Sequence, residues 1–218
     1  MDFGFIARAA PLFAKAAELT VTLAFTGIAL SAAVGLVCAL IRHLRVPVLR
    51  RLVGLYIELA RNTPLMIQLF FLYYGLPRLG LLLEGKTCAI VGLTFLGGSY
   101  MAEAIRGGLV AVSEAQIEAG LSIGLRRRQV LRYVVLPQAL AVALPALTAT
   151  AIFLIKETSV FSIVALPDLM YVAKDLLKEG HSTESNLLLV LSYLLIILPI
   201  SLILGWLERK ARFAGFGS

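Results

Sequence analysis

Charge is what this sequence has least of. Only 15% of its 218 residues are charged, where roughly 25% is usual in a soluble domain. A water-soluble chain of this size covers its core with charge, and there is too little here to do so. A soluble enzyme and a disordered chain are excluded on that ground. Cysteine is nearly absent, and Cys38 and Cys88 both sit in apolar runs. Two lone thiols give neither a disulfide framework nor metal-ligand spacing, and they read as packing residues. The two histidines, His43 and His181, lie far apart in the chain, and no HExxH pattern or serine–base arrangement accompanies them. A membrane-embedded enzyme therefore has no support, and no metal site is expected. What the sequence has in excess is apolar residues: 60%, against roughly 45–50% on average. With a mean hydropathy of +0.91, residues 1–218 read as one polytopic, all-α membrane domain.

A bilayer core needs about 20 mostly apolar residues per helix. Five stretches meet that length: residues 19–41, 52–74, 87–105, 136–155 and 186–207. In residues 1–18, Phe3, Phe5, Ile6, Leu12 and Phe13 alternate with Arg8, Lys15 and Glu18. That mixture predicts a helix lying in the membrane interface and touching lipid. A signal peptide is not expected, because the start lacks a basic region and the first apolar run has spanning length.

Twelve basic residues fall in loop 42–51, segment 106–135 and the C-terminus, Arg45 and Arg212 among them. Six lie on the other side, offset by acids that include Glu179 and Glu184. The positive-inside rule then places the N-terminus outside and the C-terminus in the cytoplasm, in agreement with an odd number of spans. The net charge of +7 is topological, which excludes nucleic acid as a partner.

Residues 80–87 match the phosphate-loop pattern G-x-x-x-x-G-K-[ST]. That pattern works when a strand feeds a glycine loop at a helix N-terminus. Here a membrane helix precedes it and leucines fill it, so it reads as an outer loop with glycine hinges. Gly27, Ser31 and Gly35 form a small-residue stripe that lets another helix approach closely. Pro145 and Pro199 are expected to kink the fourth and fifth spans. The outer segment 156–185 holds an apolar run, 160–166, that is too short to cross and predicts a re-entrant or interfacial turn.

Charges inside spans are costly and persist where they pair, line water or bind something. Glu58 and Arg61 share a helix face, with Gln68 seven residues further on. Thr63 and Pro64 interrupt that helix, and the freed backbone needs a polar environment. Ser99 and Tyr100 follow Gly97 and Gly98, where the backbone can open. Glu157 and Thr158 end the fourth span. Glu103 and Arg106 repeat the three-residue spacing and suit an internal ion pair, with Arg106 reaching the cytoplasmic edge. The candidate path is thus Glu58, Arg61, Thr63, Gln68, Ser99, Tyr100, Glu103, Glu157 and Thr158. It reads either as a polar chamber for a zwitterion, whose two charges need opposite partners, or as ion pairs that hold the helices together.

The cytoplasmic segment 110–135 is longer than a turn needs. Ser113 with Gln116 forms a capping-box pattern, and a short helix from about 114 to 123 should end near Gly124. A second amphipathic stretch, 126–135, leads back to the membrane. A short polar helix outside a bundle either rests on lipid headgroups or plugs into a partner.

Gln116, Glu118, Ala119, Gly124, Leu136, Pro137 and Gln138 resemble the "EAA" loop of binding-protein-dependent ABC transporter permeases, with Gly120 in place of the second alanine. The stretches 58–77, 99–108 and 156–160 are similar to the polar amino acid branch of that family, Glu157 replacing the usual aspartate. Four ordered motifs cover nearly the whole chain. The resemblance implies a five-helix permease subunit of the bacterial cytoplasmic (inner) membrane that pairs with an identical or similar second permease subunit. It implies that Gln116, Glu118, Ala119, Gly120 and Gly124 dock cytoplasmic ABC ATPase subunits. An extracytoplasmic amino-acid-binding protein would deliver the substrate. The chain itself would do no covalent chemistry and hold no cofactor, ATP and Mg being bound by the partner ATPase. A secondary transporter or channel working without ATP is the alternative, and five spans are too few for paired repeats in one chain.

Overall fold

The computed structural model describes residues 2–43, 46–178 and 180–216, with side chains described as far as residue 210. Arg45, Glu179 and the side chain of Arg212, which entered the charge reading, lie outside the described residues. Every regular element among the described residues is helical. Four are long and apolar enough to cross a membrane: Phe3–His43, Gly85–Ala111, Arg127–Val164 and Ser182–Lys210. The second expected span is not one helix. It is α2 (Pro47–Arg61), a break at residues 62–64, then α3 (Leu65–Phe70). A π turn (Phe71–Gly75) and a 3-10 turn (Leu76–Leu79) extend α3.

Helix α1 (Phe3–His43) is continuous, so no boundary falls at residue 18. At 1.5 Å per residue, its 41 residues reach about 61 Å, twice the roughly 30 Å of a bilayer core. Of the apolar side chains in its first turns, Phe3 and Leu12 are exposed, as an interfacial helix requires, and four others turn inward. Phe5, Ala9, Phe13 and Ala16 are buried against Leu169, Ala173 and Leu176 of α8 (Leu169–Leu177) and the start of α9 (Ser182–Phe216). The Phe5 ring stacks on His181 at 4.0 Å.

The centre of the bundle is α4 (Gly85–Ala111). Gly27 faces Leu93, Ser31 faces Gly97 and Gly35 faces Met101, a constant offset of 66, so α1 and α4 run parallel. A Cβ on Gly27 would meet Leu93 Cδ2 at 2.5 Å, and one on Gly35 would meet the Ala102 amide at 2.9 Å. Ser31 Oγ donates to the Leu93 carbonyl at 3.3 Å. In lipid, such close approach replaces the hydrophobic effect as the source of association. Gly97 and Gly98 serve the same purpose. Their helix is unbroken, and Ser31 Oγ with Leu154 crowds the one position while Tyr56 and Val34 crowd the other. The backbone does not open there. On the opposite side, Gly108 touches the Ala139 carbonyl and Gly97 nears Leu154, which makes α7 (Leu136–Glu157) antiparallel to α4.

Both π turns have one cause. Residues 71–75 precede Pro77, and residues 131–135 precede Pro137. A proline cannot donate to the carbonyl four residues back and its ring collides with that group. The widened turn takes an i+5 bond instead, Leu76 N to Phe71 O and Leu136 N to Leu131 O. Pro145 and Pro199 sit inside helices that continue through them. The phosphate-loop match spans Gly80, with φ of 85°, and Gly85, whose Cβ position is filled by the Val164 carbonyl. A 3-10 turn precedes it, so the strand that a phosphate loop needs is not there. The apolar run 160–166 is a 3-10 turn (Thr158–Val164) whose Phe161 and Val164 enter the core.

Two expectations follow. Gly97→Leu should force α1 and α4 apart, at a cost of about 1–3 kcal/mol of overpacking, whereas Gly54→Ala, with nothing within 4 Å, should be tolerated; thermal midpoints in detergent compare them. The second concerns Asp168, the N-cap of α8, which is fully buried and accepts from the Tyr171 amide at 2.9 Å. Burial pushes its carboxyl from 3.8 up to about 6, against the pull of backbone donors and Lys174. In that window the folded state binds more protons than the unfolded one, so stability falls as pH rises through it. The thermal midpoint should rise on acidification from about pH 7 to about pH 5, and Asp168→Asn, which keeps an acceptor for Tyr171, should lose that dependence.

Candidate functional site

A cleft of about 530 Å³ opens where the α2–α3 break faces α4 and the end of α7. Arg61, Asn62, Thr63 and Pro64 form one wall, Tyr100 another, and Phe153 and Glu157 a third. The break exists because Pro64 disfavours helical geometry in the residue before it. Asn62 closes α2, its amide nitrogen donating to the Glu58 carbonyl at 2.8 Å and to the Glu58 carboxylate at 3.2 Å. Thr63 Oγ1 donates to the Leu59 carbonyl at 2.7 Å. The Arg61 guanidinium lies over the Tyr100 ring, 5.0 Å from its centroid. Such stacking orients a cation while leaving its N–H groups for an anionic ligand. Tyr100 is itself held by Phe153 at 5.4 Å. Glu157, half-buried, supplies the negative charge. One cleft therefore carries a guanidinium and a carboxylate, as a zwitterion requires.

Arg61, Thr63, Tyr100 and Glu157 meet in the cleft, and the other expected path residues do not line it. Gln68 braces the break instead, donating through Nε2 to the carbonyls of Ala60 at 3.2 Å and Thr63 at 3.0 Å. These are acceptors that the interruption frees, so its place seven residues beyond Arg61 serves the backbone. Ser99 and Thr158 are fully buried, and each donates within its own helix, to Leu96 at 2.6 Å and to Ile155 at 2.7 Å. Glu58 is exposed and bound to Asn62, and among the described residues no ion pair joins it to Arg61. Glu103 lies near the other end of α4, where it pairs with both Arg42 and Arg106 and ties the end of α1 to α4. The Arg106 bonds are 2.7 and 3.0 Å. Sequence spacing could not separate these cases, since a polar residue that caps its own helix and one that faces a cleft look alike in one dimension. Asn62 and Phe153 went unnoticed; only the Asn-Thr-Pro order at the break signals the first.

Segment 110–135 folds as α5 (Glu114–Ser122) and α6 (Arg127–Val130). Ser113 caps α5 by backbone geometry without a side-chain bond. The side-chain cap lies further on, where Gln129 Oε1 accepts from the Arg126 amide at 2.8 Å. Gly124, with φ of 88°, reverses the chain after α5, and Leu125 N bonds back to the Gly120 carbonyl at 3.2 Å, an arrangement that satisfies a terminal carbonyl. Gly120 is buried, and a Cβ there would meet Val130 at 3.1 Å. It is thus the contact that packs α5 on α6, and it does not face outward as a docking residue would. Gln116, Glu118 and Ala119 are on the exposed face.

These features define a helical membrane subunit with a charged cleft and a projecting helix pair. The chain belongs to the family of binding-protein-dependent transport system inner membrane components, whose model matches residues 9–213. The resemblance carried by the four motifs is borne out. The chain is 35% identical to a probable amino-acid ABC transporter permease, PatM of Vibrio harveyi, over 98% of this chain and 97% of that protein. It is 31% identical to the glutamine transport system permease GlnP of Escherichia coli K12, over 97% and 98%. The crystal structure of an amino acid ABC transporter with histidines superposes with a TM-score of 0.89 at 30% identity, covering 96% of this chain and 99% of that one. The inward-facing methionine transporter MetNI shares the fold, with a TM-score of 0.76 at 22% identity.

Removing the Gln68 brace should cost stability. Gln68→Leu leaves two carbonyls unpaired, about 1–3 kcal/mol, and should lower the thermal midpoint in detergent; an unchanged midpoint would show that the break holds without it.

Proposed function

We propose that this chain is the permease subunit of an ATP-driven amino acid importer, and that the cleft holds the amino acid in transit. The observation that carries this reading is the meeting of Arg61 and Glu157 across one cleft. Arg61 takes the carboxylate of the amino acid, with Tyr100 holding the guanidinium in place. Glu157 takes the ammonium or a basic side chain, and the interrupted backbone at residues 62–64 supplies further donors. The chain does no covalent chemistry.

The broken α2–α3 segment serves as a fifth crossing. The parallel run of α1 and α4 supports it, because a chain that crosses twice in one direction must return between. Residue charge then sets the N-terminus outside and the C-terminus in the cytoplasm of a bacterial inner membrane. In that orientation α5 is cytoplasmic, and Gln116, Glu118 and Ala119 offer it to a separate ABC ATPase, which binds ATP and Mg. Gly120 and Gly124 shape that helix pair. A binding protein delivers the amino acid outside. A second permease subunit completes the path, and α9 supports this, since Val190, Leu194, Leu195, Leu198 and Leu202 are exposed along it. ATP and the loaded binding protein bias a two-state bundle.

The reconstituted complex tests the assignment. Glu157→Gln should alter substrate preference, or uncouple ATP hydrolysis from uptake, with expression unchanged. Ala119→Trp, on the exposed face of α5, should abolish ATPase association while the purified subunit keeps its thermal midpoint. Normal uptake kinetics and substrate range in Glu157→Gln and Arg61→Gln would remove the cleft from the path.

A further inference from the structure

A second cavity, of about 680 Å³, is larger than the cleft and separate from it. It is a groove between the first half of α1, the start of α4 and one face of α8. Its walls are apolar, made by Leu12, Ala16, Leu19, Val172 and Leu176, and Leu12 is half-exposed. Its rim is charged. Lys15 and Glu18 stand on α1, and Lys86 stands at the first turn of α4. Asp175, also at the rim, is held by Lys178 at 3.0 Å. Among the described residues neither Lys15 nor Lys86 has an ion-pair partner.

The depth of the groove is fixed by the elements that build it. The apolar stretch of α1 begins at residue 19 and α4 starts at Gly85, so Lys15, Glu18 and Lys86 lie where two spans leave the hydrocarbon. Leu19 and Thr22 lie one turn deeper. Tyr171, on α8, is partly exposed at the same level, where an amphipathic ring is at home. A groove with apolar walls below and two unpaired ammonium groups above complements a molecule with an acyl chain below and a phosphate above.

We infer that this groove is a phospholipid site, with the phosphate diester held by Lys15 and Lys86, an ethanolamine ammonium by Glu18, and an acyl chain along Leu19 and Val172. Its volume lies within the range of ligand pockets, about 300–1,000 Å³. The lipid fills the wedge left where α8 leans on α1, and so supports the helix that follows the Thr158–Val164 turn beside Glu157. The inference needs the membrane placement of these helices and is independent of what the cleft carries.

The test uses the assembled transporter purified from membranes and placed in nanodiscs of mixed phosphatidylethanolamine and phosphatidylglycerol, with bound lipid counted by native mass spectrometry. One phosphatidylethanolamine per copy of this chain should persist when bulk lipid is stripped. Lys15→Gln or Lys86→Gln should weaken retention about fivefold, and both together about thirtyfold. Glu18→Gln should shift the retained lipid toward phosphatidylglycerol. Thr22→Trp, at an exposed position in the groove, should expel the lipid without changing the thermal midpoint. Retention unaffected by both lysine changes and by Thr22→Trp would overturn the inference. So would a photo-crosslinker at Leu12 that labels the binding protein and no lipid.

Discussion

Between two helices in lipid there is no water to expel, so their association depends on how closely their backbones meet. In this protein that constraint falls on α1 and α4. Gly27, Ser31 and Gly35 on one helix and Gly97 on the other let the pair approach until no Cβ would fit. The parallel direction of the two helices follows from this contact. The broken α2–α3 segment is the return between them, and α7 packs antiparallel on the remaining face of α4. Glu103, bound by Arg42 and Arg106, fixes one end of the pair. Asp168, Thr20 and the packing of α8 on α1 fix the other.

The return segment is where the fold gives up regularity. A proline at 64 breaks it, and the freed carbonyls must find donors or water. Gln68, Asn62 and Thr63 supply donors from side chains that the same segment provides. With the backbone satisfied locally, Arg61 is free to lie over Tyr100 and face Glu157. The cleft thus results from a break that is stabilised from within. A continuous helix through residues 58–74 would carry Arg61 on a smooth face with no recess beside it.

The α5–α6 helix pair is built by another economy. Gly120 brings α5 onto Val130, and Gly124 turns the chain between them. The π turn before Pro137 then joins α6 to α7 without interruption. An unbroken helical run therefore leads from α6 into the helix that ends at Glu157. α5 is joined to this run by the turn at Gly124 and by the contact of Gly120 with Val130.

The sequence by itself determined the class, the four long apolar helices and the residues of the small stripe. Hydropathy and glycine spacing are one-dimensional quantities that a helix converts directly into faces. It also located the break at Thr63 and Pro64, because proline acts on its own backbone. The projecting helix was legible for the same reason, since caps and glycine turns are local. Tertiary structure decided which polar residues share a space. Gln68, Ser99 and Thr158 spend their hydrogen bonds on nearby carbonyls, and Glu103 belongs to an ion cluster far along α4. Only the three-dimensional packing told these from Arg61, Tyr100 and Glu157. It also decided that Gly120 faces inward and that Phe5, Ala9, Phe13 and Ala16 are buried against α8 and α9, because burial depends on what a neighbouring helix covers.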